Sequence, residues 1–154
     1  MILMKRLLQL LFFLIIASSV LFLNAQCRSN NVNPKIEAVL ECFGIKIPQN
    51  PHCFIIIPNY SCSGCVQRTW GFINKHDLSD GYTIIDSYCS GHDPYITEIG
   101  CTVVIDSCMI VDNNAPDIAN PTIVHSYKGK IKSIVSIRAD AIEEMLEIAL
   151  LKNH

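Results

Sequence analysis

Residues 53–57 read Cys-Phe-Ile-Ile-Ile and are stopped by Pro58. Successive side chains of a strand point to opposite faces, so an unbroken apolar run cannot leave one face in water. Such a run fits a central strand of a sheet covered by helices on both sides. The pattern changes directly afterwards. From Cys62 onward, Cys65, Val66, Thr69, Trp70 and Ile73 recur at helical period, with Lys75 and His76 near the end. A buried strand therefore turns into a helix, and Cys62 and Cys65 stand at the junction.

The flanking segments supply the rest of a domain. Asn33 and Pro34 offer an N-cap and a first-turn proline. Ile36, Val39, Leu40 and Phe43 then follow at helical spacing, and Gly44 can close that helix. Residues 81–88 read as a second strand. Between 89 and 120 the signals weaken: Asp93-Pro94 suits one helical turn, residues 101–106 a strand, and residues 113–121 a loop. Residues 122–127 and 130–137 then form a hairpin around Lys128-Gly129, and residues 139–151 an amphipathic helix carrying Ile142, Met145, Leu146 and Leu150 on one side. A parallel βαβ unit followed by an antiparallel hairpin and a helix implies an α/β domain with a mixed central sheet between helices, a three-layer sandwich. At 154 residues the chain has room for one such domain.

The N-terminus is organised differently. Lys5 and Arg6 precede an apolar run at 7–23 interrupted only by Ser18 and Ser19. That is the pattern of a secretory signal over residues 1–25, cut before Gln26, or of an uncleaved membrane anchor. Residues 26–33 read as a polar tether, and residues 34–154 as the folded domain. Cys27 just after the run adds the alternative of a lipid anchor. The expected location is outside the cytoplasm, in the periplasm or on a membrane facing it. Past Ala25 the formal charge is −4, with no basic stripe to track phosphates, so nucleic acid is not an expected partner.

All eight cysteines (27, 42, 53, 62, 65, 89, 101 and 108) follow the apolar segment, and export makes disulfides permissible. Cys53 reads as a core hydrophobe, and a Cys101–Cys108 bridge is the first pairing to expect in the weak middle region. For Cys62 and Cys65 two chemistries compete. At a helix N-terminus the backbone N–H groups stabilise a thiolate, which is the attacking species in disulfide exchange. Cys65, one turn inward, is placed to attack the resulting mixed disulfide. Alternatively, Cys62-Ser63-Gly64-Cys65 and Cys89-Ser90-Gly91-His92 are near-copies whose cysteines and histidine form a Cys3His zinc set: Cys62, Cys65, Cys89 and His92.

Two stretches, FIIIPNYSCSGC at 54–65 and NPTIVHSYKGKI at 120–131, resemble the active-site turn and the proline strand of the thioredoxin-like superfamily. The closest subgroup is the exported, membrane-associated thiol-disulfide oxidoreductases of the TlpA kind, with a likeness extending over roughly residues 50–152. The resemblance implies Cys62 as nucleophile and Cys65 as resolving thiol. It also implies that Pro121 is a cis-proline shaping a substrate groove beside Ser63 and Gly64, and that no organic cofactor is needed. Its implied partners are protein or peptide thiols and disulfides, and a membrane or periplasmic redox protein. Four features depart from the family pattern: Ser61 replaces an aromatic, Ser63-Gly64 lacks a proline, and Ile56 and Arg68 each stand where an acid is common. A thioredoxin-like fold used only to bind a partner is the remaining alternative.

Overall fold

The computed structural model describes residues 33–76, 78, 80–88 and 100–151. The signal or anchor segment, the tether with Cys27, and the Cys89–His92 stretch lie outside the described residues. The chain divides into two units, residues 1–34 and 35–154; the account below concerns the second.

The elements run α1 (Asn33–Cys42), β1 (His52–Ile57), α2 (Ser63–His76), β2 (Tyr82–Asp86), β3 (Thr102–Ile105), α3 (Ile110–Asn114), β4 (Thr122–Tyr127), β5 (Lys130–Ser136) and α4 (Ile142–Leu146). The last helix continues as a wider π-helical turn over Glu147–Leu151. One five-stranded sheet holds the strands in the order β3-β2-β1-β4-β5. The β1–β2 and β2–β3 pairs are parallel, while β4 is antiparallel to both β1 and β5. This mixed sheet between helices is the expected α/β class and is compatible with a thioredoxin-like arrangement.

The apolar run of β1 does what its pattern requires. Cys53, Ile55 and Ile57 join one core with Val66, Trp70 and Ile73 of α2 and Leu146 and Leu150 of the C-terminal helix. Phe54 and Ile56 join the opposite core, with Ile36, Val39 and Leu40 of α1 and Val111 of α3. Two-residue alternation persists inside a run with no polar member because each face meets its own helical layer.

Local chemistry ends the elements. Gly44, at φ +68°, closes α1: its N–H bonds the Glu41 carbonyl at 2.8 Å and the Ile45 N–H bonds that of Leu40 at 2.8 Å. Lys128 and Gly129 both take positive φ in the hairpin turn, and their N–H groups bond the Gln49 and Pro48 carbonyls at 3.0 Å. The connector at 45–51 thereby gains a fixed seat against the hairpin.

Two expectations shift here. Residues 113–121 were expected to be loop throughout, yet Asn113 and Asn114 end the one-turn helix α3. It forms because Asp106, four residues before the helix start at Ile110, accepts the N–H groups of Ile110 at 2.8 Å and Val111 at 2.9 Å. A cap reached from outside the helix carries no periodic signal. The C-terminal helix begins at Ile142 rather than at 139, and its widened last turn leaves the Leu150 carbonyl to accept the buried Tyr82 hydroxyl at 2.9 Å.

Candidate active site

The site is built where β1 ends. Pro58 stops the strand, and a turn closed by the Ser61 N–H on the Pro58 carbonyl at 3.1 Å leads to Cys62. The Cys62 carbonyl accepts the N–H groups of Cys65 at 2.9 Å and Val66 at 3.0 Å, so Cys62 is the N-cap of α2. Cys62 and Cys65 are joined as a disulfide, with Cα atoms 5.1 Å apart.

The two sulfurs have unequal surroundings. Cys62 is exposed, whereas Cys65 is 2% exposed and packed into the α2 core. The Cys65 N–H also donates to the Cys62 sulfur at 3.0 Å. One sulfur is thus open to a partner and faces the positive end of a 14-residue helix, while the other is reachable only through the first. Lys75 and His76 in the last turn of α2 complement the opposite end of its dipole.

Neighbouring loops hold this turn in place. The buried Ser61 hydroxyl donates to the Ala119 carbonyl at 3.4 Å, bringing the segment before β4 against the cysteines. The Asn59 N–H donates to the Asp112 carboxylate of α3. Burial, and then the neighbouring Asp106, push the Asp112 carboxyl above its usual range; the Asn59 bond opposes them.

The implied groove residues differ in exposure. Ser63 and Gly64 are exposed beside Cys62, and a Cβ on Gly64 would meet nothing within 4 Å. Pro121 is buried, its carbonyl accepts the Ile137 N–H at 2.8 Å, and its own peptide bond is trans, which corrects the cis-proline the resemblance implies. Arg68 is exposed and lines a groove of about 500 Å³ with Phe72, Lys75, Glu143 and Glu147. Neither cysteine lines that groove. Ile56 faces the α1 layer, on the other side of the sheet from Cys65.

Cys108 is an exposed free thiol, so the Cys101–Cys108 bridge does not form. His52 opens β1, half-buried, with Nε2 2.9 Å from the Thr83 hydroxyl, and burial lowers its pKa. Cys53 is fully buried, and desolvation pushes its thiol up to about 12, as suits a core hydrophobe. Of the four candidate zinc ligands, Cys62 and Cys65 are spent in a disulfide, which offers a metal no thiolate, and Cys89 and His92 lie outside the described residues.

One acid on the α2 side of the sheet has no counterpart among the residues singled out from the sequence. Asp86 ends β2 in register with Ile57, the last residue of β1. Its Oδ1 accepts the Tyr88 N–H at 2.9 Å, and its carboxylate also accepts from the Trp70 side chain of α2. Burial raises its pKa against those two bonds. The signal available was an acid closing an otherwise apolar strand, Tyr-Thr-Ile-Ile-Asp.

Comparison of the chain with protein-family models, curated proteins and solved structures gives no match. Among the described residues no helix is long and apolar enough to cross a membrane.

Proposed function

We propose that this protein is an exported thiol-disulfide oxidoreductase of the thioredoxin-like kind, acting on protein or peptide disulfides through Cys62 and Cys65. The supporting observation is the asymmetry of the pair: an exposed Cys62 sulfur accepting a helix N-terminal amide, bonded to a buried Cys65. A purely structural bridge has no need of that arrangement.

In the reducing direction the Cys62 thiolate attacks one sulfur of the substrate disulfide and expels the other as a thiolate, forming a mixed disulfide. The Cys65 thiolate then attacks the Cys62 sulfur. The substrate leaves as its second thiolate, two electrons have passed to it, and the Cys62–Cys65 disulfide remains. A dithiol partner in the membrane or periplasm restores the pair. The oxidising direction is the same sequence reversed.

Export is part of the proposal and rests on the basic start and apolar run of residues 1–25. Replacing Cys62 with Ser abolishes dithiol exchange with a peptide disulfide while circular dichroism stays native. Unchanged exchange in that variant overturns the assignment, and so does a Cys62–Cys65 potential below about −300 mV, the range of inert structural bridges.

A further inference from the structure

The β4–β5 ladder is irregular at one step. His125 pairs with Ser133 and Ser126 with Ile131, so the pairing passes over Lys132. An extra residue of this kind is a β-bulge, which bends its strand and re-aims a side chain. The side chain re-aimed here is exposed and lines a cavity of about 300 Å³. Its ammonium lies 5.9 Å from the centre of the Tyr127 ring, and that of Lys128 lies 5.1 Å from the same ring.

Three segments build the walls: residues 125–127 of β4, Lys132 and Ser133 of β5, and Pro51-His52 where β1 begins. The segments are fixed to one another. The Ser126 hydroxyl donates to the His52 carbonyl at 3.2 Å, and the N–H groups of Lys128 and Gly129 hold the connector that leads to Pro51. His52 Nε2 is engaged with the Thr83 hydroxyl at 2.9 Å, and burial lowers its pKa, so the ring is neutral at pH 7. The other polar side chains of the wall are Lys132, Ser133, Tyr127 and His125. Among the described residues that line the cavity, Lys132 carries the formal charge and none is a carboxylate.

We propose that this cavity binds a phosphomonoester, either free or as a lipid headgroup. A fixed ammonium flanked by hydroxyl and imidazole groups, with no acid beside it, selects an anion. A phosphoryl group presents three acceptor oxygens in different directions, which suits donors converging from two strands better than a flat carboxylate does. The volume is that of a small-ligand pocket and leaves room for an organic group on the ester oxygen. Because hydrogen bonds already hold the three walls, little ordering is left for the ligand to impose. The cavity opens at the start of β1, about 17 Å of strand from Ile57 at the cysteine end. The site is therefore separate from the Cys62–Cys65 pair, and its failure would leave the thiol-disulfide reading untouched.

The test titrates the full chain with glycerol 3-phosphate by isothermal titration calorimetry, and one saturable site is expected. Lys132→Met, at an exposed position, weakens it about tenfold with circular dichroism unchanged. Lys132→Arg restores binding. Lys130→Met, exposed on the same strand but outside the cavity, leaves it as in wild type. Glycerate, with a carboxylate in place of the phosphoryl group, binds more weakly. Vesicle flotation distinguishes the two sources. Retention on phosphatidate vesicles beyond that on phosphatidylcholine alone, abolished by Lys132→Met, assigns a lipid headgroup; saturable glycerol 3-phosphate binding without such retention assigns a free ester. Absence of both overturns the site. Equal losses in Lys130→Met and Lys132→Met also overturn it, as diffuse surface attraction, and glycerate binding as tightly as glycerol 3-phosphate overturns the phosphomonoester class.

Discussion

The amide of Cys65 donates to the sulfur of Cys62 at 3.0 Å, across the disulfide that joins the same two residues. A donor fixed by the first turn of α2 keeps its place when the bond is reduced, and it then stabilises negative charge on Cys62 more than on Cys65.

The first prediction concerns that inequality. In the reduced protein Cys62 reacts with iodoacetamide at a pH well below the ordinary thiol range, while Cys65 does not. Replacing Cys65 with Ser leaves the first attack intact and traps the substrate as a mixed disulfide, seen as a non-reducing gel shift. Replacing Cys62 with Ser traps nothing. Equal trapping by both variants contradicts the assigned order.

Asp86 also makes stability depend on pH. Its folded pKa lies above the unfolded value, so the folded state binds more protons between the two. Stability is then full below the unfolded carboxyl range and falls as pH rises through the folded pKa. D86N, which keeps an oxygen for Tyr88 and Trp70, should melt higher than wild type at pH 7, with the gain shrinking toward pH 4. A gain that grows on acidification reverses the sign. His52 acts oppositely: its lowered pKa costs stability as pH falls through its ordinary value near 6.5.

Thiol accessibility separates the remaining cysteines. Cys42 and Cys108 are exposed and should be alkylated in the native protein, whereas Cys53 is buried and should react only on unfolding. Mass-spectrometric mapping before and after denaturant reads this out.

Removing the Asp106 carboxylate tests the cap of α3. It is fully buried and accepts from the Ser87 hydroxyl at 2.8 Å as well as from Ile110 and Val111. Asp106→Ala should cost about 2–4 kcal/mol in urea unfolding, because three donors, two of them buried, lose their acceptor.

Tyr82→Phe is a milder change with a local signature. Loss of the hydroxyl bond to the Leu150 carbonyl should cost about 1–2 kcal/mol and speed amide exchange in the C-terminal turn. Unaltered exchange there would mean that water replaces the bond without loss.

What the sequence determined by itself is whatever local chemistry settles. The Cys53–Ile57 run required two covering layers, Pro58 required a stop, and helical spacing from Cys62 put the pair at a helix start. Gly44 and Lys128-Gly129 required the chain to turn. Each is decided by sterics and burial within a few residues, and each is found in the structure. Tertiary structure decided the relations between distant segments. It turned Ile56 away from Cys65 and set Asp86 beside the end of β1 through strand register. It also let Asp106 cap α3, and it drew the 119–121 segment onto Ser61 with a buried, trans Pro121. A strand's own pattern fixes which residues share a face, but which neighbour a face meets depends on pairings made between segments far apart in the chain. For that reason the cysteines were legible early, and the partners of Asp86 and Asp106 were not.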